Sequence, residues 1–235
     1  MSGGAAILTK CFQELDRITN NAIDNSIIKN IKDSINKYAV MSAIAGGATA
    51  VVPGGAAVVA TMVQAGFIWS LYVKISKELG ISIRENKLKF IASAALTNIT
   101  ANAGMLIAGH VAATLFSFIP GLGSATSLIV EAMIGYVVIY VAAILYLQFI
   151  TRLFKANNGS CDLSSMGDDE LKNEIKKASS ELNMKEAITE GKQAYNEAKK
   201  NGDFERAKNN PQCPNCNATL DKNAKFCSSC GLKIK

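Results

Sequence analysis

Charge is segregated along this chain of 235 residues more sharply than any other property of its sequence. Three stretches, 38–73, 90–130 and 132–151, contain none of its 25 basic and 19 acidic residues. A helix needs about 20 apolar residues to cross a bilayer, whereas a helix in a soluble domain normally keeps a charged face. The pattern predicts an all-α membrane protein. The alternative is a soluble helical core whose surface carries Ser, Thr, Asn and Gly.

Two Pro-Gly turns divide the uncharged stretches into helical arms, because proline removes a backbone donor and glycine permits a turn. The turn residues are Pro53, Gly54, Gly55, Pro120, Gly121 and Gly123. The arms are expected at about 39–52, 55–73, 90–118 and 124–151. An offset of 67 residues aligns the two turns, which indicates two related helical hairpins. The first arm reaches only about 21 Å, so the first hairpin either spans the membrane or is re-entrant.

The rest of the chain flanks these hairpins. The predicted parts are an amphipathic N-terminal helical segment (1–37), a hairpin membrane domain (38–155), a linker (156–167), a charged helix (168–210) and a zinc ribbon (211–235). For the N-terminal segment, docking on the rest of the chain is preferred to docking on a partner or on a membrane surface. The charged helix is expected to be a solvated arm or a short coiled coil. It carries an apolar stripe at Leu171, Ile175, Ala178 and Leu182.

The basic residues predict the orientation. The segment 74–89 between the hairpins is rich in Lys and Arg, and Arg152 and Lys155 follow the last arm, whereas both Pro-Gly turns are uncharged. By the positive-inside tendency, the N-terminus, this connecting segment and the zinc ribbon face the cytosol from the cytoplasmic membrane. The first ten residues contain no long apolar region of the kind found in a secretory signal.

Four cysteines near the C-terminus have metal-ligand spacing. They form two CxxC pairs separated by ten residues, Cys213 with Cys216 and Cys227 with Cys230. Each pair can aim two thiolates at one ion, and four thiolates complete the tetrahedron of a structural Zn²⁺; a redox pair and an iron site are the alternatives. Residues 211–233 closely resemble the zinc-ribbon family. The resemblance implies an interaction or structural module.

Polar groups inside the uncharged stretches are costly in lipid, so they are candidates for function. They are Gln64, Asn98, Asn102, His110 and Glu131. One interpretation is a polar transport pathway. The preferred one is hydrogen bonding between helices that approach closely at small residues such as Gly104, Ala108 and Ala112.

Catalysis and nucleic-acid binding find little support in the sequence. His110 is the only histidine, and the GxSxG, HExxH and P-loop motifs are absent, so an enzyme is not expected. The net charge of +6 comes from basic residues spread beside acidic ones. Attraction to anionic lipid headgroups explains it at least as well as nucleic acid, which is not expected as a partner.

The two turns and their Ala/Gly/Ile-rich arms carry a further resemblance. With the sequences VPGGAAVV and IPGLGSAT, residues 38–152 look like the bacterial membrane domain of unknown function that is fused to, or encoded beside, Era-like and dynamin-like GTPases. The resemblance implies a membrane anchor or a remodelling partner for a GTPase. This chain carries no nucleotide-binding domain, so the GTPase would be a separate protein.

The expected function is therefore that of a non-enzymatic integral membrane adaptor, which recruits or regulates a cytosolic protein through its charged helix and zinc ribbon. The first alternative is a self-assembling pore or membrane-disrupting protein, because small-residue faces allow homo-oligomers to form. The second is a soluble helical scaffold.

Overall fold

The computed structural model describes residues 6–20, 22–49, 56–116, 125–157, 163, 165–211, 213, 218–220 and 224–228. Within these ranges, only the backbone is described at 46–49, 56–62, 102–116 and 125–128. The regular structure of this part is helical, with isolated bridge residues at Thr219 and Phe226. Its helices are α1 (Ile7–Ile18), α2 (Asn25–Thr49), α3 (Ala56–Glu78), α4 (Glu85–Phe116), α5 (Ala125–Ala156), α6 (Asp168–Glu181), α7 (Met184–Lys200) and α8 (Asp203–Asn209).

Helices α2 to α5 form a bundle and contain the four predicted arms. Helix α2 packs on α3 and α4 packs on α5, while the Pro-Gly turns that were predicted to join them lie outside the described residues. Helix α2 begins well before the uncharged stretch, because the Asp24 carboxylate accepts hydrogen bonds from the backbone N–H groups of Ser26 (2.7 Å) and Ile27 (2.9 Å). The predicted boundary at residue 37 therefore falls inside a helix.

Helix α5 is the central helix of the molecule. It contacts α1, α2, α3, α4, α6 and α7. Within the described residues, one helical stretch, Ile129–Ala156, is long and apolar enough to cross a membrane, with a mean hydropathy of 2.2, yet 89% of its most apolar part is buried against other helices. Burial in protein thus accounts for much of the missing charge at 132–151, and this helix is weak support for a membrane span.

Helix α1 docks on the rest of the chain, in agreement with the preferred interpretation of the N-terminal segment. Its apolar face packs towards α5 and α7. The buried residues of that face are Ile7, Leu8, Cys11, Phe12 and Leu15.

Where one charged helix was predicted over 168–210, the structure has three. Helix α6 ends where the backbone becomes extended at Leu182, and the Asn183 side chain caps α7 by accepting a hydrogen bond from the Glu186 N–H group at 3.2 Å. Gly202, in the left-handed region with φ of 71°, precedes α8.

These helices are also not a solvated arm. Leu171, Ile175, Ala178 and Leu182 are buried, because α6 packs on α4 and α5, and α7 packs on α5. The apolar stripe covers an apolar surface of the bundle, which removes both surfaces from water.

Candidate functional site

The two ends of the bundle differ in charge and in covering. We call residues 38–49, 56–73, 90–116 and 125–135 the uncharged end, in which Glu131 is the sole Asp, Glu, Lys or Arg. The opposite end, formed by the start of α2 and α4 and the end of α3 and α5, is the charged end. Outside the uncharged end, side-chain hydrogen bonds or ion pairs attach each of α1, α6, α7 and α8 to a helix of the bundle.

Arg152 holds α6 on α5. Its guanidinium pairs with the Glu174 carboxylate at 3.4 Å and with Glu181, both on α6. Lys177 also contacts Glu174, at 2.6 Å. The hydrogen bond and the charge of Lys177, and then the charge of Arg152, lower the pKa of Glu174 below its ordinary value of 4.5, although partial burial opposes the shift. Glu174 therefore stays ionised at neutral pH.

Glu190, on α7, holds the start of α1. Its carboxylate accepts hydrogen bonds from the backbone N–H groups of Ile7 (2.7 Å) and Leu8 (3.3 Å) and from the Tyr140 hydroxyl (2.9 Å). Helix α1 has no side-chain cap of its own, so Glu190 supplies the negative charge that a helix N-terminus favours. Sequence reasoning missed Glu190, because the contact joins residues 183 positions apart and leaves no local signal.

Cys11 lies beneath this contact. Burial, and to a lesser extent the charge of Glu190, raise the pKa of the Cys11 thiol to about 12. The thiolate is the form that binds metals and attacks electrophiles, so Cys11 is an unreactive core residue.

Paired aromatic residues fix α3 against α5. The rings of Tyr72 and Tyr146 stack with centroids 4.1 Å apart, and the Tyr72 hydroxyl donates to the Ala142 carbonyl at 2.9 Å. Ser76 donates to the Tyr72 carbonyl at 2.7 Å and lies 2.6 Å from the Tyr146 hydroxyl. These buried hydroxyl groups all have partners, so the contact sets one register between the two helices.

A polar chain connects α5 to α8 and to the first cysteine of the ribbon. The Tyr136 hydroxyl donates to the Asn36 side-chain oxygen (2.8 Å), and the Asn36 amide donates to Asp203 (2.7 Å). The neighbouring Lys37 ammonium lies 3.5 Å from the Cys213 carbonyl oxygen. The beginning of the ribbon therefore lies beside α2, at the last charged residue before its uncharged stretch.

The described cysteines of the ribbon fit a structural metal. Cys213 and Cys227 are buried and cluster with Leu220. The Cys213 N–H group donates a backbone hydrogen bond to the Ala218 carbonyl at 2.7 Å. Cys216 and Cys230 lie outside the described residues, so no described group of three or more potential ligands occurs here. One cysteine from each CxxC pair is thus in a common buried cluster, as a shared Zn²⁺ requires.

The predicted polar candidates are placed separately. The Asn98 amide donates to the Ala94 carbonyl of its own helix at 2.8 Å, and among the described residues no hydrogen bond joins any two of Asn98, Gln64 and Glu131. Gln64 and Glu131 are half-buried on α3 and α5. The side chains of Asn102 and His110, on α4, are outside the described residues.

Comparison with known proteins identifies the C-terminal part. A family model for the zinc-ribbon domain matches residues 212–234, which confirms the zinc ribbon that the two CxxC pairs predict. No curated protein and no solved structure matches the chain.

Proposed function

We propose that this chain is a non-enzymatic membrane adaptor. The uncharged end of the bundle anchors it in the cytoplasmic membrane, and the charged end holds α6, α7, α8 and the zinc ribbon in the cytosol for a protein partner. The observation that carries the proposal is where the flanking helices attach in the part of the chain that the structure describes. They cover the charged end, while apolar side chains at the uncharged end, such as Phe67, Ile129 and Ile134, stay partly exposed.

The polar groups of α4 at the uncharged end support the same proposal. Thr97 donates to the Ser93 carbonyl at 2.9 Å, and Thr100 donates to the Leu96 carbonyl at 2.8 Å. Asn98 does the same within its own helix. Donors that are satisfied by their own helix need no water, so these side chains are compatible with lipid.

The ribbon is proposed to hold one structural Zn²⁺ through Cys213, Cys216, Cys227 and Cys230. The metal would supply folding free energy that so small a module lacks. Cys227→Ser should remove zinc, measured by elemental analysis of freshly purified protein, while Cys11→Ser should retain it. Unchanged zinc in the Cys227→Ser protein would disprove the site.

The membrane assignment is tested by washing. The protein should stay in the membrane fraction after carbonate and high salt, because apolar burial does not depend on ionic contacts. Release by either wash would overturn the anchor. The partner is then sought by purification in mild detergent, comparing the unmodified chain with Cys227→Ser. The resemblance of residues 38–152 suggests a GTPase, and the adaptor proposal expects a protein that the variant loses.

The soluble scaffold has one observation in its favour. The most apolar part of α5 is 89% buried within the protein, and exposed positions of α4 carry Ser93, Thr97 and Thr100. A detergent-free soluble fraction that is monodisperse would support the scaffold against the adaptor. If the purified protein caused an encapsulated dye to leak from liposomes, the result would instead support the pore.

A further inference from the structure

We propose that the zinc ribbon rests on the surface of the membrane, with Phe226 and neighbouring lysines in contact with anionic lipid headgroups. This inference depends on the proposed membrane anchor. It adds a lipid contact to the part that the adaptor proposal gives the ribbon in recruiting a protein partner.

The position of the ribbon is the first observation. Lys37 is the last charged residue of α2 before the uncharged end, and its ammonium lies 3.5 Å from the carbonyl oxygen of Cys213. Helix α8, which leads into the ribbon, is held one residue earlier on α2 by the hydrogen bond between Asn36 and Asp203, at 2.7 Å. The ribbon is therefore fixed at the level where the bundle changes from charged to uncharged.

A lysine also marks the change from charged to uncharged on α4, beside a tryptophan of α3. The Lys89 ammonium lies over the ring of Trp69, 4.8 Å from its centroid. Trp69 is the single tryptophan of the chain, and Lys89 is the last charged residue before the uncharged stretch of α4. Tryptophan and lysine are the residues that concentrate at the boundary between lipid and water. The proposed bilayer surface thus passes Lys89 and Trp69 on α4 and α3 and Lys37 on α2, where Cys213 lies.

The surface of the ribbon suits such a boundary. Phe226 is 59% exposed, the most exposed large apolar residue of the described chain. Residues 212–235 contain four lysines, at 222, 225, 233 and 235, against the single acidic residue Asp221. An exposed aromatic ring enters the headgroup region, and each nearby lysine is attracted to anionic lipid. An acidic protein segment could contact the same residues, but it would not explain why the ribbon lies at this level.

Fluorescence in vesicles tests the inference with tryptophan placed at one position at a time. The full-length double variants are Trp69→Phe/Ile129→Trp and Trp69→Phe/Phe226→Trp, both checked for bound zinc and helical circular dichroism. They are reconstituted in phosphatidylcholine vesicles with and without phosphatidylglycerol, and quenched by nitroxides in the headgroup or deep in the acyl chain. The deep nitroxide should quench the 129 variant, and the headgroup nitroxide should quench the 226 variant when phosphatidylglycerol is present.

The outcomes separate the two proposals. If neither variant is quenched, the membrane anchor fails. If the 129 variant is quenched and the 226 variant is not, the anchor stands and the ribbon contact is overturned, which is the result expected of an acidic protein ligand. Adding Lys225→Gln to the 226 variant should lower the ratio of membrane-bound to free ribbon by about fivefold. Quenching at 226 that is independent of both phosphatidylglycerol and Lys225 would exclude the headgroup contact.

Discussion

The two halves of the apolar part of α5, 129–147, contain a single charged residue between them, Glu131, but their surroundings differ. From Val137 to Leu147 the side chains are almost completely buried by protein, under α1, α6 and α7 as well as the bundle. Nearer the start of the helix, Ile129 is 36% exposed and Val130, Ala132 and Ile134 are half-buried. A stretch without charge therefore indicates an apolar environment without identifying it. Lipid and a protein core select the same residues.

The largest difference between the two halves is expected on truncating an isoleucine. Ile144→Ala should lower the free energy of unfolding by about 2–5 kcal/mol, because Ile144 is fully buried and its loss leaves a cavity. Ile129→Ala removes the same atoms at a partly exposed position and should cost only about 0.5 kcal/mol. Chemical unfolding in mild detergent, followed by circular dichroism, measures both. Equal losses would mean that the halves do not differ in packing.

The contact of α1 with the charged end is tested at Glu190. Glu190→Ala leaves the first N–H groups of α1 and the Tyr140 hydroxyl without their acceptor, which should cost about 1–3 kcal/mol. Loosening of α1 should expose Cys11 and accelerate its reaction with a thiol reagent, mapped by mass spectrometry. The control is Glu186→Ala, whose 3.9 Å contact with Lys10 is exposed, and which should leave the rate unchanged.

Two helical glycines differ in the space that is available for a β-carbon. A β-carbon at Gly135 would lie 3.0 Å from the backbone oxygen of Ser42, whereas one at Gly66 would meet nothing within 4 Å. Gly135→Ala should therefore separate α5 from α2 and destabilise the protein by about 1–3 kcal/mol. Gly66→Ala should be neutral, or stabilise α3 by up to about 1 kcal/mol. Thermal unfolding of both variants in the same detergent measures the two changes in stability. A neutral Gly135→Ala would show that the helices are not in close contact.

The smallest effect concerns pH. Because folding lowers the pKa of Glu174, its ionised form stabilises the protein above the ordinary pKa of 4.5, and this stabilisation disappears as the pH falls through the lower pKa of the folded state. On acidification, the free energy of unfolding of the unmodified protein should thus fall by about 1 kcal/mol or less relative to that of the Glu174→Gln variant. Unfolding curves between neutral pH and strong acid measure the difference. Glu170→Gln, on the same helix, should follow the unmodified protein.

Local signals predicted the long helices and the ribbon. Missing charge and the Pro-Gly breaks located the helices of the bundle, and the spacing of the two CxxC pairs located the ribbon. The Pro-Gly turns and two of the four cysteines lie outside the described residues, so the hairpin connections and the complete ligand set remain predictions. Each successful prediction depended on residues close together in sequence.

What the sequence could not supply was the partner of each apolar face. The stripe through Leu171 and Ile175 is the same for a coiled coil and for a helix docked on the bundle, so the docking of α6 could not be distinguished from the expected arm. The attachment of the ribbon at Lys37 depends on a contact between residues 176 positions apart. Such contacts follow from the assembled fold and have no local pattern.

The bond between Glu190 and the first turn of α1 also has a consequence for the order of folding. A ribosome adds about 5–20 residues per second. Glu190 is therefore synthesised roughly 10–40 seconds after Ile7, whose N–H group it caps and which lies 183 residues before it. During that interval α1 lacks both its cap and the helix α7 on which it packs, and a helix of 12 residues is marginal on its own. Helix α1 therefore gains its cap only after α7 has been synthesised, and its apolar face is only partly covered until then.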